Sequence, residues 1–291
     1  MKIKCFSLFA ITAFLSVNSF SQKVTPVQFS NADSSVSGCG FLYSDYRSSA
    51  YLDSLRRTFE IDKVVKGCSS DFEKVLALLE WTSNQWKHNG WNEPKKGDAI
   101  SILYEVRNGQ NFRCVEYGIV LAATLNSIGI SARSIGLKTK DVETTKSGAG
   151  HVATEAFLND LSKWIFIDPQ YGIAPTLKGM PLNAVEFNRA LCDNLTTIKY
   201  INHKGEISGS AAKRYSKWIA PYLFYFDAAM DNRYKVEKFD RLRCNGKKVL
   251  MLVPLGAKNP EVFQISTKLN WCTYTNNIDL FYAPPVVEKI Q

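Results

Sequence analysis

NFRCVEYGIVLAATLNSIGISAR, residues 111–133, joins a polar turn to a long apolar run, the pattern of a buried helix. With Asn111 as N-cap, Cys114 falls at the third helical position, among unpaired backbone N–H groups at the positive end of the macrodipole. That field favours thiolate over thiol and offers N–H donors to a developing oxyanion. Gly129, just past the last apolar residue of the helix, suits the left-handed position that ends it.

Working downstream, HVATEAFL (151–158) and KWIFID (163–168) alternate in the manner of strands. Alternation puts His151, Ala153, Glu155 and Phe157 on one face, and Trp164, Phe166 and Asp168 on one face of the other strand. The short polar NDLSK link makes the two a hairpin, so Asp168 at the end of one strand meets the ring Nδ1–H of His151 at the start of its partner. Pro169 then stops the ladder. A thiol, an imidazole and a carboxylate that orients it are the parts of nucleophilic acyl transfer, and Cys114, His151 and Asp168 are the catalytic candidates. The other two histidines lie in polar turns, His88 in WKHNGWN and His203 in KYINHKGE. Arg133 reads as one half of a structural ion pair, and Glu155 as a strand carboxylate supporting the site from behind.

These stretches resemble the transglutaminase-like superfamily, a branch of the papain-like cysteine hydrolases and acyltransferases. The resemblance runs over roughly residues 70–172 and rests on Cys114 at a helix start, Gly129-Ile130-Ser131-Ala132-Arg133, His151, and Trp164 through Asp168-Pro169. It implies an α+β fold, with a transglutaminase-like or papain-like core in which a helix-borne Cys packs on an antiparallel sheet. It also implies a side-chain donor to the oxyanion upstream of the Cys; Gln110, Trp86 and Trp91 are all candidates, and spacing does not choose among them.

The N-terminus, MKIKCFSLFAITAFLSVNSFSQ, has two lysines, an apolar core and small residues at Ser19 and Ser21. It reads as a signal peptide over 1–21, cleaved between Ser21 and Gln22, and its apolar run is too short to span a bilayer. A secreted or periplasmic location follows, with no integral membrane segment. Losing the leader's two lysines takes the net charge of +9 to +7. The basic residues are scattered rather than clustered, so no nucleic acid partner is expected. Beyond Cys5 and Cys114, the five remaining cysteines allow at most two disulfides. No paired Cys or His spacing calls for a metal, and no cofactor is implied.

The domain reading is a signal peptide (1–21), an N-terminal extension (22–69), a catalytic core (70–195) and a β-rich C-terminal region (196–291). Helices are expected at 50–60, at 71–86 with a Ser70/Glu73 capping box, at AISILYEV, and near 182–193. From about 196 to 285, Tyr, Phe and Val between turn signals predict antiparallel strands that either extend the catalytic sheet or form a separate module. The expected function is an exported thiol enzyme that attacks an amide carbonyl in a peptide, protein or cell-wall substrate, by hydrolysis or acyl transfer. The alternative is a catalytically silent relative that binds or displays.

Overall fold

In this computed structural model, residues 24, 26–31, 39–193, 197–234 and 240–289 are described. The leader expected over 1–21 lies outside them. Among the described residues, no helix is long and apolar enough to cross a membrane.

The fold is mixed α+β. Its centre is a six-stranded sheet in the order Cys272–Thr275, Val249–Leu252, Tyr225–Ala229, Ala132–Lys138, Gly150–Leu158, Lys163–Ile167. All neighbours run antiparallel except the first two strands, which are parallel. Three of the six strands come from beyond residue 196. Of the C-terminal strands these three extend the central sheet, while Ile198–Asn202 and Gly205–Ile207 join a four-stranded sheet with Ala174–Leu177 and Met180–Pro181, and others pair outside the central sheet.

One face of the sheet is covered by helices. Asp71–Ser83 starts where Ser70 Oγ accepts the Glu73 N–H at 3.1 Å, while the Glu73 carboxylate accepts the Ser69 N–H. Ala99–Arg107 is capped by Asp98, and Cys114–Ser127 packs between them and the sheet. The approach of this last helix is set by Gly118. A Cβ there would stand 3.0 Å from Val152 Cγ1 and 3.2 Å from both the Ala153 carbonyl oxygen and Ser134 Oγ. At the far end Gly129 takes φ +87°, and a Cβ would collide with the Tyr46 ring.

The other face carries Ile135, Leu137, Ala153, Phe157, Trp164 and Phe166, under Ala184–Asp193 and the C-terminal chain. At its centre Arg133 forms the structural ion pair expected of it, Nη2 to Oε2 at 2.8 Å, with Glu155; both are fully buried, and Glu155 is thereby engaged here and not behind His151. Arg133 Nη1 also donates to the Phe281 carbonyl, and its guanidinium lies 4.4 Å from the ring centres of Phe41, Trp164 and Phe281. Glu155 Oε1 accepts from the Ala184 N–H and the Tyr282 hydroxyl.

Two expectations for the C-terminal region fail, the first being all-antiparallel pairing, since Val249–Leu252 and Cys272–Thr275 run parallel. Second, within the stretch read as strands, Gly209–Ile219 is an α-helix, continued by a 3-10 turn at Ala220–Tyr222. Tyr215, Trp218, Ile219 and Tyr222 recur at helical spacing, a signal swamped by the β-rich composition around it. Cys39 and Cys244 are joined by a disulfide that ties the N-terminal extension to the C-terminal region. Cys68, Cys114, Cys192 and Cys272 are free.

Candidate functional site

Cys114, His151 and Asp168 come together at one end of the central sheet. The helix begins two residues later than expected: its N-cap is Arg113 rather than Asn111, and Cys114 is the first helical residue rather than the third. Asn111 is used otherwise. Its side-chain oxygen accepts the Lys87 N–H and its carbonyl accepts from Asn92 Nδ2. Glu116 supplies the cap instead, accepting the Arg113 N–H at 3.1 Å and pairing with the Arg113 guanidinium at 2.8 Å. Cys114 keeps its place in the first turn, with the same exposed N–H groups around it.

His151 is the second residue of its strand, paired across the sheet with Leu137. Beside it the Lys163–Ile167 strand has just ended, and Asp168 follows. Despite Pro169, the Asp168 backbone is held on both sides, its N–H to the Ile173 carbonyl and its carbonyl from the Ile173 N–H. The two side chains meet as the alternation predicted, but through the other nitrogen. His151 Nε2, not Nδ1, lies 2.9 Å from Asp168 Oδ2. The remaining ring nitrogen is left for Cys114, which lies close enough to help raise the pKa of the imidazole. The swap follows from direction: Asp168 lies beyond the strand end, so the ring's far nitrogen reaches it.

Burial of the His151 ring opposes its charge, but the Asp168 charge and hydrogen bond, with those of Cys114, outweigh that and push its pKa up to about 9. Asp168 is wholly buried. Its Oδ1 accepts the Gln170 N–H at 3.1 Å, and Oδ2 accepts a second bond, from the Tyr215 hydroxyl, at 2.9 Å. Aromatic rings enclose the imidazole. Trp218 stands edge-on with its centre 4.8 Å away, and Tyr222 and Tyr171 follow at 6.1 and 6.4 Å. Cys114 is only half-buried, so the thiol is reachable from solvent while the His–Asp bond is not.

The sequence did not point to Tyr215 or Trp218, because nothing local ties a residue in the Gly209–Ile219 helix to a strand far upstream. The three oxyanion candidates separate on contacts. The Trp86 indole N–H donates to the Phe112 carbonyl at 3.2 Å and is committed there, with its ring stacked on Tyr117. Trp91 is 92% exposed. Gln110 lies in the turn before the helix, its side-chain oxygen 3.3 Å from Asn92 Nδ2, which leaves its own amide N–H groups as donors. His88 sits close enough for the His151 charge, after burial, to lower its pKa.

Residues 61–169 match the Transglutaminase-like superfamily. Solved structures with partial likeness include a candidate cysteine protease from Cytophaga hutchinsonii, at 16% identity and TM-score 0.34 over 52% of this chain and 47% of that one. The periplasmic domain of TgpA from Pseudomonas aeruginosa, bound to ethylmercury, matches at 20% identity and TM-score 0.29 over 44% and 45%. Red sea bream transglutaminase matches at 14% identity and TM-score 0.32 over 76% and 38%. The chain thus spans less than half the length of each of these proteins. No curated protein matches it.

Proposed function

Because residues 61–169 carry a transglutaminase-like core, we propose that this chain is an exported thiol enzyme in which Cys114, His151 and Asp168 attack an amide carbonyl. The observation that carries the reading is the buried 2.9 Å contact from His151 Nε2 to Asp168, with the half-buried thiol of Cys114 close enough to the same ring to help raise its pKa. A histidine whose charged form is favoured to about pH 9 is suited to take the thiol proton as the sulfur attacks.

In this reading the Cys114 sulfur bonds to the substrate carbonyl carbon, and the carbonyl electron pair moves to oxygen. The oxyanion lies against N–H groups of the first helical turn and a side-chain donor, for which Gln110 is the best placed of the three candidates. Collapse expels the amine, which leaves with the proton from His151, and a thioester remains on Cys114. Water or an acceptor amine then gives a proton back to His151 and attacks the thioester carbon, releasing acid or a new amide and restoring the thiol. Asp168 stays ionised throughout and fixes which ring nitrogen faces the sulfur.

Substrates in this reading are peptide, protein or cell-wall amides, and hydrolysis is the default where water is the acceptor. Secretion or transfer to the periplasm is part of the proposal and rests on the leader pattern over 1–21. One experiment tests both parts. The protein is collected outside the cytoplasm, incubated with glutaminyl peptides, ordinary peptides and muropeptides, quenched in acid and analysed by mass spectrometry. The expected result is a chain beginning at Gln22 that carries an acyl group on Cys114. An intact Met1 on a cytoplasmic product overturns export. An unmodified Cys114 with every donor class, in a folded protein, favours the silent binding reading.

A further inference from the structure

The catalytic proposal uses residues up to Asp168, yet Asp168 also receives a hydroxyl from far downstream. Tyr215, on the Gly209–Ile219 helix, donates to Asp168 Oδ2 at 2.9 Å, the same oxygen that holds His151. This helix lies outside the stretch matched to the family. With Gln170, the carboxylate thus has three donors. Two of them come from neighbours on its own strand turn and hairpin, and only Tyr215 is brought by a separate element.

The helix is anchored for that task. Ser216 Oγ meets the Tyr200 hydroxyl at 2.5 Å, and the Tyr215 and Tyr200 rings pack edge-on. Just beyond the helix, Leu223 bridges to Lys138, at the end of the strand paired with that of His151. Tyr215 is buried and cannot ionise: burial first, and then the Asp168 charge, hold its pKa well above 10. It is therefore a permanent donor. Trp218, one turn on, covers the imidazole edge-on and keeps water from the His–Asp bond.

We propose that Tyr215 is a positioning residue for the Cys114 site, acting through Asp168, so that the Gly209–Ile219 helix is a working part of the active centre rather than an appended element. The inference rests on the thiol-enzyme reading. A carboxylate fixed at both oxygens holds the imidazole in one orientation. Without the hydroxyl it can turn about its own axis, and the ring loses its alignment on the sulfur.

The test is a four-way comparison of the rate at which iodoacetamide alkylates Cys114 at neutral pH, in the full chain. The chains are wild type, Tyr215→Phe, Asp168→Ala and the double variant. Tyr215→Phe keeps the ring contacts with Trp218, Tyr171 and Tyr200 and removes only the hydroxyl. It should slow alkylation about fivefold, a part of the roughly tenfold that one hydrogen bond to a charged acceptor is worth. In the Asp168→Ala background it should change nothing, because the group it acts through is gone. An unchanged rate for Tyr215→Phe overturns the inference, and so does equal slowing in both backgrounds, which marks a packing role. If the phenylalanine chain does not fold, Tyr215→Met, which also lacks a donor, takes its place in the same comparison. A wild-type Cys114 no faster than free cysteine is a different pattern, and it overturns the thiol-enzyme reading together with the inference.

Discussion

The strand Gly150–Leu158 carries two buried charge pairs on one face, and they are built for opposite ends. Glu155 meets Arg133 in the middle of the sheet, where both side chains have no solvent exposure. Each Glu155 oxygen is engaged, and the guanidinium is walled by aromatic rings. His151, four residues earlier, meets Asp168 at the strand end. There the carboxylate is just as sealed, but the imidazole keeps one nitrogen for a thiol that solvent can reach. The inner pair is built on a guanidinium, which holds its proton at any accessible pH. The outer pair contains the one side chain suited to exchanging protons near neutrality. One strand thus supplies both a rivet and a reactive centre, and what separates them is access and proton affinity rather than burial.

The contrast breaks most sharply on substitution. His151→Ala should lower turnover by about 10⁴-fold, since it removes the base held beside Cys114 by Asp168. It should leave the chain folded, with a melting temperature a few degrees lower near neutral pH, because Asp168 keeps the Tyr215 and Gln170 donors and is not stranded. Steady-state rates with whichever donor acylates Cys114, alongside a melting curve, check both halves. A variant that retains a tenth of the activity would remove His151 from the mechanism.

Arg133→Ala should do the reverse. It leaves Glu155 charged in a dry interior and costs about 3–5 kcal/mol. That is a large share of the 5–15 kcal/mol typical of a folded domain. Urea unfolding measures it, and an unchanged midpoint would mean that the pair does not hold the sheet to the C-terminal chain. Replacing both partners, Arg133→Met with Glu155→Leu, should recover much of the loss.

How much of this was legible in the sequence depended on how far apart the cooperating residues lie. The Cys114 helix, the two strands, the hairpin between them and the Gly129 stop all follow from local pattern, and each stands where periodicity placed it. The position of Cys114 within its helix did not follow, because Asn111 was free to serve either as a cap or as a clamp for the 87–92 loop, and only tertiary contact decides. The choice of His151 nitrogen was hidden for a similar reason: alternation gives a face, not the angle at which a ring leaves it. The Gly209–Ile219 helix was masked by aromatic, β-prone neighbours on both sides. Its link to Asp168 spans 47 residues, and no spacing rule reaches that far.

The smallest expected effect sharpens the comparison by pH. The folded pKa of His151 is about 9, above the 6.5 of an unperturbed histidine, so the folded chain binds this proton more tightly than the unfolded chain does. The stability it contributes is therefore fully present below about pH 6.5 and is lost as pH rises through about 9. The wild-type melting temperature should fall by a few degrees across that window. In His151→Ala the fall should disappear, because the proton that carries it has no ring to bind. The proton is shared with Cys114, so the midpoint of the fall belongs to the thiol–imidazole pair and not to the ring alone. Cys114→Ser should move that midpoint downward, since a serine hydroxyl stays neutral and no longer holds the imidazolium in place. Melting curves at half-unit steps from pH 6 to 10 on the three chains decide it. A wild-type profile that is flat, or one that falls equally in His151→Ala, would show that the outer pair carries no more proton linkage than the inner one.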